Sequence, residues 1–283
     1  MRAVLAAALA VALLACALAQ SPGRLAFISN REEDKFHLFV MSEAGGAATK
    51  VAQLAHEPAW SPDGKRLAFV GQQDKNNEIY LVDADGKNLK RLTTHDRDDR
   101  SPAWSPDGKL IAWSSNREGS YQIWLMAAEG SEPRNLSHHA FDDFAPDWSP
   151  DGTKLVFQTT RDGDNEIYVM NADGSNPVNL SKHPKTDQRP RWSPEGKLIV
   201  FDTNRDGNYE IYLVRADGTE PKRLTNYAEY DIFPAWSPDG KRLVWQRHLE
   251  GASPEVFTMN LDGTNPINLS NNAAFDGEPA WTK

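Results

Sequence analysis

Short apolar runs recur along the chain, each closed by a turn rich in Gly, Asp and Pro, and they fall into sets of four. In the stretch from 66 to 104, Arg66 to Val70 and Glu78 to Val82 predict two strands, and a weaker run centred on Leu89 to Thr93 predicts a third. The next set opens around Trp104. Runs such as Glu166-Ile167-Tyr168-Val169 and Glu210-Ile211-Tyr212-Leu213 carry β-branched and aromatic residues on both parities, as expected of strands covered on both faces. A Gly-containing turn follows each (Gly86, Gly130, Gly174, Gly218, Gly263), so the third and fourth strands of a set form a hairpin.

The sets have a fixed length. Trp60, Trp104, Trp148, Trp192, Trp236 and Trp281 are separated by 44, 44, 44, 44 and 45 positions, the signature of stacked supersecondary units. Each Trp has a Pro two residues before it, and all but the last have one two residues after it (Pro58 and Pro62 about Trp60). Proline has no N–H to give a neighbour, so this strand has one unpaired edge. The Asp-Gly that follows turns it into a hairpin.

Second, third and fourth strands are predicted in six sets, starting at Arg24, Arg66, Leu110, Lys154, Leu198 and Arg242. The set at Arg24 has no first strand ahead of it, and the one at Trp281 has no hairpin behind it. These fragments complete each other. The prediction is an all-β, six-bladed β-propeller of four-stranded antiparallel blades, closed by the C-terminal strand pairing into the first blade, with the proline edges facing the central channel.

Composition refines this picture. The 283 residues are 39% hydrophobic and 25% charged, with net charge −9. No run of Lys and Arg exists, which argues against nucleic acid or an anionic membrane surface as partner. Residues 1–19 read as a signal peptide: Arg2, an apolar run from Ala3 to Ala15 too short to span a bilayer, then Ala17-Leu18-Ala19. The propeller is then 20–283, without a transmembrane segment or cysteine, and a monomer. In the alternative, Leu13-Leu14-Ala15-Cys16 is a lipobox and Cys16 a lipid anchor. Either route exports the domain to the periplasm or beyond.

The repeat Pro-x-Trp-Ser-Pro-Asp-Gly-Lys, followed by elements such as Thr203-Asn204-Arg205-Asp206-Gly207-Asn208-Tyr209-Glu210-Ile211-Tyr212 and Asn171-Ala172-Asp173-Gly174, resembles the TolB-like propeller family, a WD40-like repeat of bacterial periplasmic proteins. The resemblance covers the whole mature chain. It implies the propeller, and it is compatible with binding proteins and enzymes alike; the chain departs from TolB in that the propeller is expected to follow the signal segment directly, without the α/β domain, which argues against a Tol-Pal role.

A carboxylate recurs five residues before the Trp: Asp99, Asp143, Asp187, Asp231 and Asp276, with Ala55 at the sixth place. One reading is an acidic ring at the channel mouth that holds a basic partner segment or Ca²⁺. The other is that each Asp is paired locally with a loop Arg such as Arg31, Arg117, Arg161 or Arg205. His95, His139 and His183 share a register that also holds Val51, Tyr227 and Asn272, which argues against a metal site. Asp83-Ala84-Asp85-Gly86 has Thr94 where a calcium loop needs Glu, and reads as a hairpin turn. Asn135-Leu136-Ser137, Asn179-Leu180-Ser181 and Asn268-Leu269-Ser270 match a glycosylation pattern but occupy the place of Arg91-Leu92-Thr93. No Gly-x-Ser-x-Gly elbow exists.

The leading expectation is a non-enzymatic module that binds an envelope or secreted protein or peptide at the channel mouth. The rival is a carbohydrate-active or metal-dependent enzyme at the same mouth. A polar cluster that does not follow the repeat would separate them, because catalysis needs asymmetry. The candidate departures are the loops Arg247 to Pro254 and Lys75-Asn76-Asn77, and Ala55.

Overall fold

The computed structural model describes residues 23–72 and 75–282. The expected signal peptide, its cleavage site and Cys16 lie outside these residues. The strands are β1 (Arg24–Ser29), β2 (His37–Ser42), β3 (Ala48–Ala52), β4 (Ala55–Trp60), β5 (Arg66–Gly71), β6 (Glu78–Asp83), β7 (Lys90–Arg91), β8 (Asp99–Trp104), β9 (Leu110–Glu118), β10 (Ser120–Ala127), β11 (Arg134–Asn135) and β12 (Asp143–Trp148). They continue as β13 (Lys154–Thr159), β14 (Glu166–Asn171), β15 (Val178–Asn179), β16 (Asp187–Trp192), β17 (Leu198–Thr203), β18 (Glu210–Arg215), β19 (Lys222–Arg223), β20 (Asp231–Trp236), β21 (Arg242–Leu249), β22 (Ala252–Asn260), β23 (Ile267–Asn268) and β24 (Asp276–Trp281). The six predicted starts of second strands are all met.

The strands form six antiparallel four-stranded sheets. Blade 1 has the order β24-β1-β2-β3, so the last strand of the chain closes the ring, and blades 2 to 6 follow in sequence from β4. The first strands β24, β4, β8, β12, β16 and β20 contact one another in a closed circle around the channel, each with its proline edge unpaired by a further strand. At that edge the Trp192 N–H donates to Asp147 Oδ2 of the preceding blade at 2.8 Å.

The turn after each Trp has a local cause. Asp63 Oδ1 accepts from Ser61 Oγ and from the Lys65 N–H, the Arg66 N–H donates to Ser61 Oγ, and Gly64 takes φ 66°. Asp107, Asp151 and Asp239 repeat the arrangement. The Trp side chains are buried between blades: Trp104 packs on Ala68, Val70, Ile79 and Leu81 of blade 2.

Two elements differ from expectation. The fourth strands of blades 2 to 6 are only two residues long, because a hydroxyl takes over from the backbone: Thr93 Oγ1 accepts the Ile79 N–H at 2.9 Å and donates to the buried Glu78 carboxylate at 2.5 Å. Ser137, Ser181, Thr225 and Ser270 accept the equivalent N–H, which gives the Leu-Thr/Ser element a structural role in blades 2 to 6. The segment from Arg247 to Pro254 is no open loop, since β21 and β22 extend through it and leave only Glu250 and Gly251 as the turn.

Candidate channel-mouth site

Asp99, Asp143, Asp187, Asp231 and Asp276 are the first residues of their inner strands, so the fold does bring them into one ring. All five are fully buried. Each is held by an arginine of its own blade: Asp99 by Arg117 at 2.9 and 3.0 Å, Asp143 by Arg161 at 3.1 and 3.3 Å, Asp187 by Arg205 at 3.0 and 3.1 Å, and Asp276 by Arg31 at 2.8 and 2.9 Å. Arg247 binds Asp231 through two nitrogens at 2.7 Å, from a register two residues earlier than its counterparts. Every guanidinium also covers aromatic rings, as Arg117 does Trp113 and Trp124 at 5.4 and 4.6 Å. Local pairing, the second of the two readings of the ring, is thus the arrangement found at all five positions. Blade 2 replaces it: Ala55 stands opposite Gly71, where the Tyr80 ring occupies the space beside the Gly71 Cα.

Immediately inside this ring lies a layer that does not follow the repeat. Every inner strand has a bulge two residues beyond the Asp position, and its residue is left-handed: Glu57 (φ 50°), Ser101 (52°), Ala145 (48°), Arg189 (53°), Phe233 (55°) and Glu278 (49°). Such φ values are uncommon for residues with a Cβ and persist only where the surroundings enforce them. At Glu57, Ser101, Arg189, Phe233 and Glu278 the neighbouring blade does so by accepting the bulge N–H. The Glu57 N–H donates to Glu278 Oε2 at 2.6 Å, and the Ser101 N–H to Glu57 Oε2 at 2.5 Å. Farther round, Phe233 and Glu278 donate to Asp202 and Gln246, second-strand residues of the preceding blade. Where the corresponding second-strand residue is apolar, Ile28 or Val70, the glutamate of the bulge serves as acceptor instead.

The six bulge side chains line a mouth cavity of about 430 Å³ together with Arg100, Tyr121, Phe144, Gln188 and Arg191. Pro58, Pro102, Arg191 and Pro279 also line the throat beneath, of about 290 Å³, whose far end is walled by the six repeat Trp residues. The mouth is electrically lopsided. Glu278 and Glu57 occupy blades 1 and 2; Arg189 and Arg191 lie on blade 5, opposite Glu57 across the ring.

Burial and the adjacent Glu278 charge raise the Glu57 pKa. Burial works against a charged His56, yet the hydrogen bond that His56 makes to Glu278, with the charge of that carboxylate, wins and raises the imidazole pKa. Asp202, buried beneath Arg189, is pushed up to about 6 by desolvation even though the guanidinium is 2.7 Å away. Among the described residues no cluster of three or more His, Cys, Asp or Glu has metal-binding geometry. Asp83 to Gly86 is a turn, closed by the Gly86 N–H donating to Asp83 O at 2.8 Å.

Fold and site together define a closed six-bladed propeller whose repeats build a common frame around a channel mouth that does not follow the repeat. The family model of the TolB beta propeller domain matches residues 7–143 and 139–244, and the chain belongs to that family. A segment of 77 residues is 38% identical to the Tol-Pal system protein TolB of Thioalkalivibrio sulfidiphilus, covering 25% of this chain and 18% of that protein. The structure is similar to that of TolB from Acinetobacter baumannii (TM-score 0.82, 24% identity, 92% of this chain and 66% of that one). It is also similar to putative TolB from Agrobacterium tumefaciens (TM-score 0.72, 25% identity, 93% and 99%). The chain thus spans less than a fifth of the first relative and about two thirds of the Acinetobacter chain.

Proposed function

We propose that this TolB-like propeller is exported and binds an envelope or secreted protein or peptide at its channel mouth. The observation that carries the reading is the bulge layer. Residues that serve a repeat fold repeat, as the Asp–Arg braces do, whereas Glu57, Ser101, Ala145, Arg189, Phe233 and Glu278 share one backbone geometry but range from acidic to apolar to basic. A concave, asymmetric, mixed apolar and charged surface on a rigid frame is what peptide recognition requires. The acidic ring enters this reading as the support that fixes the inner strands behind that surface. Export rests on residues 1–19 and on the periplasmic character of the family. No helix among the described residues is long and apolar enough to cross a membrane.

The test is site-specific photocrosslinking in the source cell envelope. A crosslinker at Ala145, in the mouth, should capture one defined protein that a crosslinker at Val178, on the outer strand β15, does not. Equal capture at both positions would remove the mouth as the binding surface. Processing is read separately: if cleavage follows Ala19, Cys16→Ser matures normally, and accumulation of precursor instead assigns the lipid-anchored route.

One observation favours the enzymatic rival: Glu57 and Glu278 are neighbouring carboxylates of unlike environment, the usual layout for acid–base work on a glycan. Both, however, spend an oxygen on a bulge N–H. Hydrolysis of an envelope glycan that is lost in Glu57→Gln would establish this reading.

A further inference from the structure

We infer that the channel mouth contains a carboxylate subsite formed by Arg100, Arg189 and Arg191, which receives an acidic side chain or the C-terminal carboxylate of the bound polypeptide. The inference rests on the peptide-binding reading above and specifies the chemistry that the mouth selects.

The chain as a whole carries net charge −9, yet three arginines line this one cavity. Two of them have no ion pair among the described residues. The Arg191 Nη1 donates only to Pro190 O, at 2.9 Å, and its side chain lines both the mouth and the throat. Arg100 lies against Tyr121, and its Nε is buried without an acceptor. An orphaned buried donor is costly, and a guanidinium satisfies its planar fork best with a carboxylate. The contrast with the braces is direct: Arg31, Arg117, Arg161, Arg205 and Arg247 each bind a buried Asp, whereas Arg191 feels Asp202 and Arg100 feels Glu57 only at longer range, without a direct ion pair. Arg189 is preorganised beside them, held by Asp202 at 2.7 Å and stacked 4.1 Å over Phe233.

Blade 4 leaves room for the ligand. It stands between the blades of Arg100 and Arg189 and places Ala145, the smallest of the bulge side chains, at the mouth. The opposite wall limits the charge that can enter. Glu57 and Glu278 would repel a polyanion, whereas a single carboxylate meets the arginines while its amide or ammonium donors meet the glutamates. Tyr121 and Phe144, 4.5 Å apart, offer an apolar flank for the rest of the residue.

The experiment follows arginine side-chain Nε–Hε signals of the purified protein by NMR, with Arg100 and Arg191 assigned through Arg100→Gln and Arg191→Gln. The probes are N-acetylglutamate α-amide for a side-chain carboxylate and N-acetylalanine for a C-terminal one, with N-acetylglutamine amide as the neutral control and sodium chloride at matched ionic strength. Saturable shifts of both signals with at least one carboxylate, absent with the amide and chloride, are expected, and the two carboxylates differ according to which source the subsite prefers. Arg191→Gln should weaken the response at Arg100 tenfold or more, and Arg191→Lys should lie between, since it keeps charge but not the fork. Shifts that do not saturate, that chloride reproduces, or that persist in both glutamine variants of unchanged melting temperature would overturn the subsite. Because the probes need no partner protein, this result stands apart from the crosslinking at Ala145: an empty crosslink with a saturable titration removes the protein partner and keeps the subsite.

Discussion

Arg31 and Asp276, 245 positions apart, join the two ends of the propeller through hydrogen bonds of 2.8 and 2.9 Å. The pair sits where β24 enters β1, with Asp276 opposite Ser29. It is the same brace that the other blades make from neighbouring sequence. Closure is thus an ordinary blade assembled from distant pieces, and removing β24 exposes the edge of β1 as well as the buried Arg31 partner. Truncation after Phe275 should give aggregated protein, or a melting temperature at least 10 °C lower by thermal denaturation; a truncated chain as stable as the whole would contradict closure as a source of stability.

The braces themselves should be strongly stabilising to keep intact. Asp187→Ala leaves Arg205 beside Phe201 and Tyr212 without its carboxylate, and breaking a buried pair in this way costs about 3 to 5 kcal/mol. Urea denaturation measures it. Loss within 1 kcal/mol would mean that water reaches the guanidinium.

Calcium offers a second reading of the ring. With every ring Asp engaged by an arginine, millimolar Ca²⁺ should leave the melting temperature unchanged. A rise of several degrees, abolished by Asp99→Asn, would show that a cation displaces the arginine.

Blade 2 carries a different lock. A Cβ on Gly71 would overlap the Tyr80 ring, which stacks on Phe69 with centroids 5.7 Å apart. Gly71→Ala should destabilise by about 1 to 3 kcal/mol, and adding Tyr80→Leu should recover part of it. Independent, additive effects in that double mutant would dispose of the overlap.

Acidity should act through Asp202. Its folded pKa of about 6 lies above the ordinary 3.8, so its contribution to stability is full below the unfolded value and is lost as pH rises through 6. The shift of about 2 units corresponds to roughly 3 kcal/mol at most. Stability measured from pH 4 to 7 should fall more steeply in wild type than in Asp202→Asn; parallel curves would mean that Asp202 titrates elsewhere.

The frame was legible in the sequence because Trp, Pro and Asp-Gly act locally: the second strands start at Arg24, Arg66, Leu110, Lys154, Leu198 and Arg242 as the period requires. The fourth strands read longer than they are, since a hydroxyl at Thr93 mimics a ladder bond that only the folded hairpin reveals. The Asp ring was visible, but its burial depends on Arg–aromatic stacking across strands. The bulge layer escaped notice because nothing in a single copy marks Glu57 or Arg189 as left-handed. Its one sequence signal lies across copies, where the residue ahead of the invariant Pro changes from Glu to Ser, Ala, Arg, Phe and Glu.

The bulge has an evolutionary corollary. At Ser101, Phe233 and Glu278 the left-handed turn is held through the backbone N–H by a group on the adjacent blade, and at Phe233 and Glu278 the residue's own side chain takes no part in that bond. Substitution at Ser101 or Phe233 therefore leaves the acceptors Glu57 and Asp202 in place, and the interior of the channel can be rewritten one blade at a time. Gene duplication of a blade would copy the frame and hand selection a fresh position in the wall whose turn does not depend on its own side chain.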